Sequence, residues 1–540
     1  MKKTYAVLAL TVVLAFFLRF YKVAQIPPSL SWDEVSIGYN AYSILKTGRD
    51  EFGRLFPLDA FVAYGDYKPV LPVYLTVPFV ALFGLSELAV RLPSVVAGTL
   101  TVLLTYFLVR ELFNKSPHLI RLSLLASFLL AISPWHMQLS RAGFEANTAL
   151  FFVVLGIWCV LKARERNHLF IVAWLPFVAS IYTFNSARYF APILGVLLII
   201  YCWKEVRRHT KQFVAGVIVA FVFLFPIVPY LISPQARLRF AEVNIFTDFS
   251  VVQTANHRIE TDGNSWWSKI FHNRRIGYTK SYLLHLLDHF EPSFLFIRGD
   301  GNPKFSIQDV GQLHIIELPL LIAGIYWLFV RDRRTAWFLA AWLIGAIIPA
   351  ATARETPHAL RIENSLPVWQ IFIACGLLSA IRYPILAKKK FILLGAIAFL
   401  YSASFSYYWH NYFTHYVVEY SGEWQYGYRE AIRAIEPIKN QYDAIVMTEN
   451  IGRPHMYIAF YERLDPGEYR KTMDGAFDAA GFYNPHRLGK YRFVRQGIDK
   501  MEPRILYVLE PQYLPDSARV ITTVRLLNGK TALVLFDQGL

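Results

Sequence analysis

The sequence predicts a polytopic α-helical membrane protein with about 11 spans, juxtamembrane helices and a small C-terminal α/β domain. Two observations carry this prediction. The 540 residues are 55% hydrophobic and only 17% charged, whereas soluble domains are about one-quarter charged. Long apolar runs also recur as far as residue 408, where a mixed polar and apolar pattern replaces them.

The basic residues give each span its direction, because Lys and Arg concentrate in cytoplasmic loops. Apolar runs predict spans at 4–21, 89–110, 119–135, 146–162, 168–184, 188–203, 212–232, 313–330, 335–352, 364–382 and 391–408. Alternate spans are flanked by the basic clusters Lys2-Lys3; Arg110, Lys115 and Arg121; Lys162, Arg164 and Arg166; Lys204, Arg207, Arg208 and Lys211; Arg331, Arg333 and Arg334; Arg382 and Lys388 to Lys390. We assign the net charge of +16 to these loops and not to nucleic-acid binding.

This scheme predicts a multi-pass protein of the plasma membrane, with a cytoplasmic N-terminus. Residues 1–410 would form the membrane domain, with long outer loops at 22–88 and 233–312. The apolar segment Val70–Leu85 is short and contains Pro72 and Pro78, so we expect a helix lying in the outer interface.

Residues 411–540 are predicted to fold outside the membrane as an α/β domain. Helical periodicity covers Glu423–Ile438, and Asp443–Thr448 has the composition of a buried strand. The segments 518–527 and 530–536 flank Asn528-Gly529, which predicts a β-hairpin.

Two adjacent carboxylates, Asp33 and Glu34, follow the first span. Acidic side chains at a membrane surface predict a functional site. A second interpretation stays open, in which they are solvated or cap a helix over 35–45.

Other charged residues fall in the predicted outer segments or at their borders. Cations there suit a phosphate, and a carboxylate suits a general base. For each single cation, snorkelling to the interface is the alternative. The set comprises Lys68, Arg141, Glu145, Arg188, His358 and Arg361.

The order of several short motifs resembles a known group. Asp33-Glu34 is followed by Lys68-Pro69, by the segment Glu87–Ser94 and by 133–141, which contains Ser-Pro-Trp-His and Ser-Arg. This arrangement is similar to the protein O-mannosyltransferases and lipid A aminoarabinose transferases of the C-type (GT-C) glycosyltransferase superfold. The stretch 289–300 is similar to one in bacterial members.

The resemblance implies a polyprenyl-phosphate-linked monosaccharide donor, used at the outer face. It implies that Asp33 is the catalytic base and that Lys68 meets the donor phosphate. Arg361 corresponds to a basic residue of the group, and Arg141 is a further candidate for the phosphate. Relatives often have Glu-Lys-Pro where this chain has Tyr67-Lys68-Pro69, which weakens any role for an acid at position 67.

Elementary chemistry agrees with this mechanism. A sugar phosphate carries its own leaving group, so only cations and one base are needed. Glycosidases need two carboxylates facing each other across the sugar, whereas adjacent residues point in different directions. We expect a single displacement that inverts the anomeric centre, with Glu34 positioning Asp33 or the acceptor. The expected substrate contacts are Glu145, Arg188, His289 and Asp300.

No nucleotide-binding motif is present, and no cofactor is predicted. A divalent metal stays open, although the spacing of His257, His272, His285 and His289 does not argue for one. The alternatives are a transporter or flippase, or an enzyme that moves a whole lipid-linked glycan. The acceptor is a protein, a lipid or a glycan, and membrane lipids surround the chain.

Overall fold

The computed structural model describes residues 2–64, 66–236, 243–381, 390–479 and 481–539. The predicted basic residues Arg382, Lys388 and Lys389 lie outside these ranges. The helices are α1 Lys2–Phe20, α2 Trp32–Thr47, α3 Leu71–Phe83, α4 Glu87–Leu112, α5 Leu119–Ala131, α6 Pro134–Leu139, α7 Glu145–Lys162, α8 Leu175–Ile181, α9 Asn185–Tyr201, α10 Trp203–Arg208, α11 Thr210–Leu224, α12 Val228–Leu231, α13 Phe249–Thr261, α14 Trp266–Phe271, α15 Arg274–Asp288, α16 Glu317–Arg331, α17 Arg333–Ala350, α18 Val368–Ala380, α19 Lys390–Glu419, α20 Tyr428–Ile435, α21 Pro454–Tyr461 and α22 Pro466–Thr472. The strands are β1 Phe61–Ala63, β2 Asp66–Lys68, β3 Ala444–Thr448, β4 Met473–Phe477, β5 Tyr483–Leu488, β6 Tyr491–Val494, β7 Ile505–Leu509, β8 Arg519–Arg525 and β9 Thr531–Asp537.

The chain divides into two compact units. Unit 1 contains Met1–Leu18, Ala97–Leu139 and Glu145–Tyr408. Unit 2 contains Arg19–Val96, Ser140–Phe144 and Trp409–Leu540. This division follows spatial contacts, and the predicted domain boundary at residue 410 remains a prediction.

Every predicted span coincides with helical structure. Five of the described helical segments are long and apolar enough to cross a membrane: Lys2–Phe20, Glu87–Leu112, Glu145–Lys162, Thr210–Leu231 and Phe391–Glu419. A polytopic helical architecture is therefore confirmed, while the number of spans remains a prediction. The predicted interfacial segment forms α3, whose 13 residues extend only about 20 Å, less than the roughly 30 Å of a bilayer core.

Small residues allow α16 and α18 of unit 1 to pack closely. A Cβ atom at Gly324 would lie 1.8 Å from the Phe372 carbonyl oxygen, and one at Gly376 would lie 1.8 Å from that of Leu320. Only glycine permits this backbone approach, a common device between membrane helices. The turn into α17 is capped by Asp332, which accepts a hydrogen bond from the Thr335 amide at 3.1 Å.

A seven-stranded sheet in the order β4-β5-β6-β3-β7-β9-β8 organises the C-terminal part of unit 2. The central strand β3 runs parallel to β6 and to β7, and the other pairs are antiparallel. The predicted strand at 443–448 and the predicted hairpin, β8–β9, are confirmed. The strands β4 to β7 were not predicted.

The predicted helix at Glu423–Ile438 is shorter in the structure, where α20 covers Tyr428–Ile435. Gly427 has φ +125°, a conformation that excludes a helix continuing backwards through it. Pro437 has no backbone N–H, so it cannot continue the ladder of helical hydrogen bonds beyond Glu436. The prediction was wrong at both ends for these two reasons.

The core of unit 2 joins α2 and the residues that follow it to the C-terminal sheet and its helices. Buried Val35 and Tyr39 of α2 belong to the same apolar cluster as Tyr457 and Phe460 of α21. A Cβ at Gly38 would lie 2.7 Å from the Phe460 ring, so the two helices meet closely there.

Candidate active site

The capping of α2 orients the two adjacent acids. The helix begins at Trp32, and Ser31 caps it. The Ser31 amide donates to Glu34 Oε2 at 2.8 Å, and the Glu34 amide donates to Ser31 Oγ at 3.4 Å. This capping box turns Glu34 back over the helix start. For Glu34, the interpretation as a cap is confirmed.

Glu34 also belongs to a buried ion pair. Arg91 Nε donates to its Oε1 at 2.8 Å, and the Gly143 amide donates to the same oxygen at 2.9 Å. The two side chains are 0% and 1% exposed. Arg91 donates further to the carbonyls of Val23 and Ser29. Because each charge is paired and hydrogen-bonded, burial of both side chains is tolerated. The positioning role of Glu34 remains a prediction.

Asp33 lies in a different environment. Its Oδ1 accepts a hydrogen bond from Tyr64 Oη at 2.7 Å and forms an ion pair with Lys68 Nζ at 2.7 Å. The Asp33 side chain remains 31% exposed and that of Lys68 13%. The structure thus brings the predicted base and the predicted phosphate ligand together.

A short hairpin positions these two partners of Asp33. Strands β1 and β2 pair Phe61 with Lys68, and Pro69 follows at once. Tyr64 lies in the connecting turn with φ +40°, a left-handed conformation that is strained for a bulky residue. Such strain clusters at functional sites, where the surrounding structure enforces it.

Arg141 is fully buried in unit 2, in the segment Ser140–Phe144. Its guanidinium donates to the carbonyls of Arg19, Tyr21 and Ile26. It also lies 5.1 Å from the Tyr412 ring centroid. These contacts are those of a clamp between chain segments, and its predicted role at a phosphate remains a prediction.

The other predicted residues lie in unit 1. Asp300 Oδ2 accepts a hydrogen bond from the Ala359 amide at 2.6 Å and lies 3.9 Å from His358 Nδ1. Burial raises the pKa of Asp300 to about 6. Arg361 donates to the Glu355 carbonyl at 3.3 Å, and its positive charge opposes the rise in the Asp300 pKa. One polar cluster therefore lies around the loop after α17, and it comprises Asp300, Glu355, His358, Ala359 and Arg361.

Arg188 lies near the start of α9, and the start of this helix contacts that cluster. Ser186 Oγ donates to the Arg361 carbonyl at 3.0 Å. The Arg188 guanidinium lies 5.1 Å from the Tyr230 ring centroid. Within the described part of the chain, its Nε and one terminal nitrogen are buried without a hydrogen-bond acceptor. Such donors suit an anionic ligand.

His289 and Glu145 complete the predicted set. His289 Nδ1 lies 2.7 Å from the His285 carbonyl, and burial lowers the His289 pKa to about 4. Glu145 is the first residue of α7. Among the described residues, no three His, Cys, Asp or Glu side chains are grouped to hold a metal ion.

Three residues that lie near Asp33 were not predicted from the sequence to belong to the site. Tyr64 lies in the motif that supplied Lys68, and Arg91 lies in the quoted segment Glu87–Ser94. A lone Arg in an apolar helix needs a carboxylate partner, which was the available indication for Arg91. Arg453, whose guanidinium lies 5.0 Å from the Tyr64 ring centroid, is distant in sequence and gave no indication.

Residues 67–232 match the family described as dolichyl-phosphate-mannose-protein mannosyltransferase. A curated protein of Bacillus subtilis (strain 168), named "Putative mannosyltransferase YkcB", is 26% identical over 167 residues. That alignment covers 30% of this chain and only 21% of the relative.

Two solved structures have a similar fold. ArnT from Cupriavidus metallidurans, bound to undecaprenyl phosphate, gives a TM-score of 0.52 at 14% identity, and the match covers 98% of this chain and 97% of ArnT. The Archaeoglobus fulgidus oligosaccharyltransferase, tethered to an acceptor peptide, gives 0.50 at 14% identity, with 86% of this chain and 63% of that chain covered. The family match over residues 67–232, the curated relative and the shared fold make this chain similar to the C-type group of membrane glycosyltransferases.

Proposed function

We propose that this protein transfers one sugar from a polyprenyl-phosphate carrier to an acceptor hydroxyl at the outer face of the plasma membrane. The observation that carries the proposal is the Asp33 carboxylate, partly exposed and held by Lys68 and Tyr64 at 2.7 Å each. A carboxylate in reach of solvent and beside a cation supplies both a base and a phosphate ligand.

The proposed reaction is a single displacement. Asp33 takes the proton of the acceptor hydroxyl, whose oxygen forms a bond to the anomeric carbon. The bond between that carbon and the phosphate oxygen breaks, and its electron pair leaves with the polyprenyl phosphate. Attack opposite the leaving group inverts the anomeric centre.

Lys68 has two roles in this scheme. In the structure it neutralises Asp33 at 2.7 Å. A donor phosphate competes for the same ammonium group, because its phosphodiester is also an anion and gains further negative charge as the bond to the sugar breaks. Donor binding would draw Lys68 away and leave Asp33 free to accept the acceptor proton. Tyr64 keeps the carboxylate oriented meanwhile.

The remaining predicted residues receive supporting roles. Glu34 and Arg91 fix the start of α2, and so the position of Asp33. Arg141 and Arg361 are proposed as further ligands of the donor phosphate. Arg188, whose buried donors are unsatisfied within the described residues, is proposed as a substrate contact. Glu145, His289 and Asp300 are proposed as substrate contacts. Neither a cofactor nor a metal is invoked.

Lipid contact is expected along the helices after α12. Exposed aromatic and aliphatic side chains include Phe249, Trp266, Phe271 and Leu287. Cationic residues are interspersed with them, as in helices that lie in a membrane interface. These exposed side chains support the proposal that a lipid-linked donor approaches the protein from the membrane.

The test is sugar transfer by the purified full chain from synthetic polyprenyl-phosphate monosaccharides. We expect wild type to release polyprenyl phosphate and Asp33→Asn to lose at least about 100-fold of that activity, the usual contribution of a general base. Asp516→Asn, which changes an exposed carboxylate in the same unit, is the matched control.

Full activity in Asp33→Asn would refute the assignment of the base. If wild type released nothing from any monosaccharide donor but used a lipid-linked oligosaccharide, whole-glycan transfer would replace the proposal. Movement of the intact lipid-linked sugar across a vesicle membrane, without bond cleavage, would identify a flippase.

A further inference from the structure

The sheet of unit 2 has a topological switch point at its central strand. From β3 the chain reaches β6 on one side, and it then crosses to β7 on the other side. All three strands are parallel. In open α/β sheets, ligands bind beyond the carboxyl ends of the strands at such a point.

Polar side chains stand directly after each of these three strands. Glu449 follows β3, Arg495 follows β6 and Glu510 follows β7. Arg495 Nε lies 2.7 Å from Glu449 Oε2, and the exposed Asn450 donates to Glu510 Oε1 at 2.8 Å. Glu510 Oε2 is buried without a hydrogen-bond donor among the described residues.

A second buried acceptor adjoins the same loop. Gln425 is 4% exposed, and its side-chain oxygen has no donor within the described ranges. Its backbone has φ +53°, which is uncommon for a residue other than glycine. A Cβ at Gly452 would lie 3.3 Å from Gln425 Cγ, so the two residues are in contact distance.

The loop Glu449–Arg453 also adjoins the residues that hold Asp33. A Cβ at Gly452 would lie 3.2 Å from the ring of Trp32, the neighbour of Asp33 in the chain. The Arg453 guanidinium lies 5.0 Å from the Tyr64 ring centroid, and Tyr64 donates to Asp33. A ligand at this loop therefore lies close to the proposed base.

The chemistry of the group favours a neutral, hydroxyl-rich ligand. Glu449 and Glu510 are balanced in charge by Arg453 and Arg495, so neither anions nor cations are selected. Carboxylate and amide oxygens accept hydrogen bonds from hydroxyl groups, and two of these oxygens are unsatisfied within the described chain. The partly exposed Trp32 offers an apolar face to the carbon side of a sugar ring.

We infer that the loop Glu449–Arg453, with Glu510, Gln425 and Trp32, is a subsite for a carbohydrate acceptor. The inference rests on the proposed function, since an acceptor hydroxyl held here would be presented to Asp33. The acceptor class is thus a glycan or glycoside, in preference to a charged peptide or a lipid phosphate.

The test is saturation-transfer difference NMR on the full chain in lipid nanodiscs. The probes are the methyl α-glycosides of mannose, glucose and galactose, with glycerol phosphate and a Ser-containing peptide as the competing classes. We expect a signal from at least one glycoside in wild type. Asn450→Ala and Glu510→Gln should each weaken it about fivefold, the effect of roughly one lost hydrogen bond.

The control is Asn440→Ala, an exposed Asn before the amino end of the same strand β3, which should leave the signal unchanged. Equal thermal unfolding of the variants confirms their folding. A glycoside signal that Asn450→Ala and Glu510→Gln do not change would overturn the subsite. So would a signal confined to glycerol phosphate or to the peptide.

Polyprenyl-phosphate release by hydrolysis, with water as the acceptor in place of a glycoside, separates this inference from the proposed function. A wild-type protein that releases the carrier but binds no glycoside keeps the function and refutes the subsite. One that binds glycosides through Asn450, yet releases no carrier from any donor, keeps the subsite and refutes the function.

Discussion

Asp33 and Glu34 are neighbours in the chain, but their carboxylates lie in opposite environments. The Glu34 side chain is 1% exposed and that of Asp33 is 31% exposed. Adjacent residues of a helix point about 100° apart, and the cap at Ser31 turns Glu34 inward. Glu34 is therefore part of the buried structure, whereas Asp33 remains accessible to solvent.

Glu34→Gln should destabilise the protein, because it leaves the Arg91 charge buried without its counterion. Breaking a buried ion pair costs about 3–5 kcal/mol. Thermal unfolding of the purified protein in detergent measures the loss. Asp443→Asn is the control. In its ion pair the Arg504 side chain is 60% exposed and that of Asp443 is 68% exposed, so the pair contributes about 1 kcal/mol or less. Equal losses in both variants would contradict the assigned role of Glu34.

At the scale of elements, the close contact of α16 and α18 depends on two positions. The Cβ of any larger residue would overlap a carbonyl oxygen of the facing helix, at 1.8 Å from each glycine. Backbone carbonyls of a helix cannot turn aside as a side chain can. Separation of the helices is the only relief, and it removes packing along their length.

Gly324→Ala should therefore lower the unfolding temperature, although alanine is the better helix former. Overpacking typically costs about 1–3 kcal/mol. Gly395→Ala is the matched control in another apolar helix, because nothing lies within 4 Å of a Cβ there, and it should be neutral or slightly stabilising. An unchanged unfolding temperature in Gly324→Ala would contradict the close contact of α16 and α18.

At the scale of the whole molecule, unit 2 is assembled from three distant stretches of chain. Glu51 is one of the residues that join them. Asn40 Nδ2 donates to its Oε1 at 3.1 Å, and Tyr469 Oη lies 3.4 Å from its Oε2. Burial raises the pKa of Glu51 to about 8.

The stability of unit 2 should consequently fall as the pH rises. The folded state retains the Glu51 proton up to about pH 8, whereas the unfolded chain loses it near 4.5, so unfolding becomes easier across that interval. The expected loss is on the order of 3–5 kcal/mol. Melting curves from pH 5 to 9 should be flatter for Glu51→Gln and unchanged for Glu468→Gln, an exposed acid of α22. Parallel curves for wild type and Glu51→Gln would refute this.

The fold class was predictable because apolar runs and strand alternation are local patterns. Such patterns predicted the strand at 443–448 and the hairpin around Asn528-Gly529. The order of the motifs predicted that Asp33 and Lys68 belong to one site. The strands β4 and β5 were missed because neither has a clear alternation of apolar and polar residues: β4 contains Gly475 and is largely exposed, and β5 contains Asn, Pro, His and Arg. The approach of Arg453 to Tyr64 depends on tertiary packing across nearly 400 residues, which no local pattern carries.

The three-part construction of unit 2 bears on how the protein is made. Residues 19–96 leave the ribosome long before Trp409–Leu540, and at 5–20 residues per second the delay is roughly 15–60 s. During that time the apolar face of α2 lacks the partners that later bury it. A nascent chain therefore carries an incomplete candidate site until Trp409–Leu540 has been synthesised and has folded against the rest of unit 2.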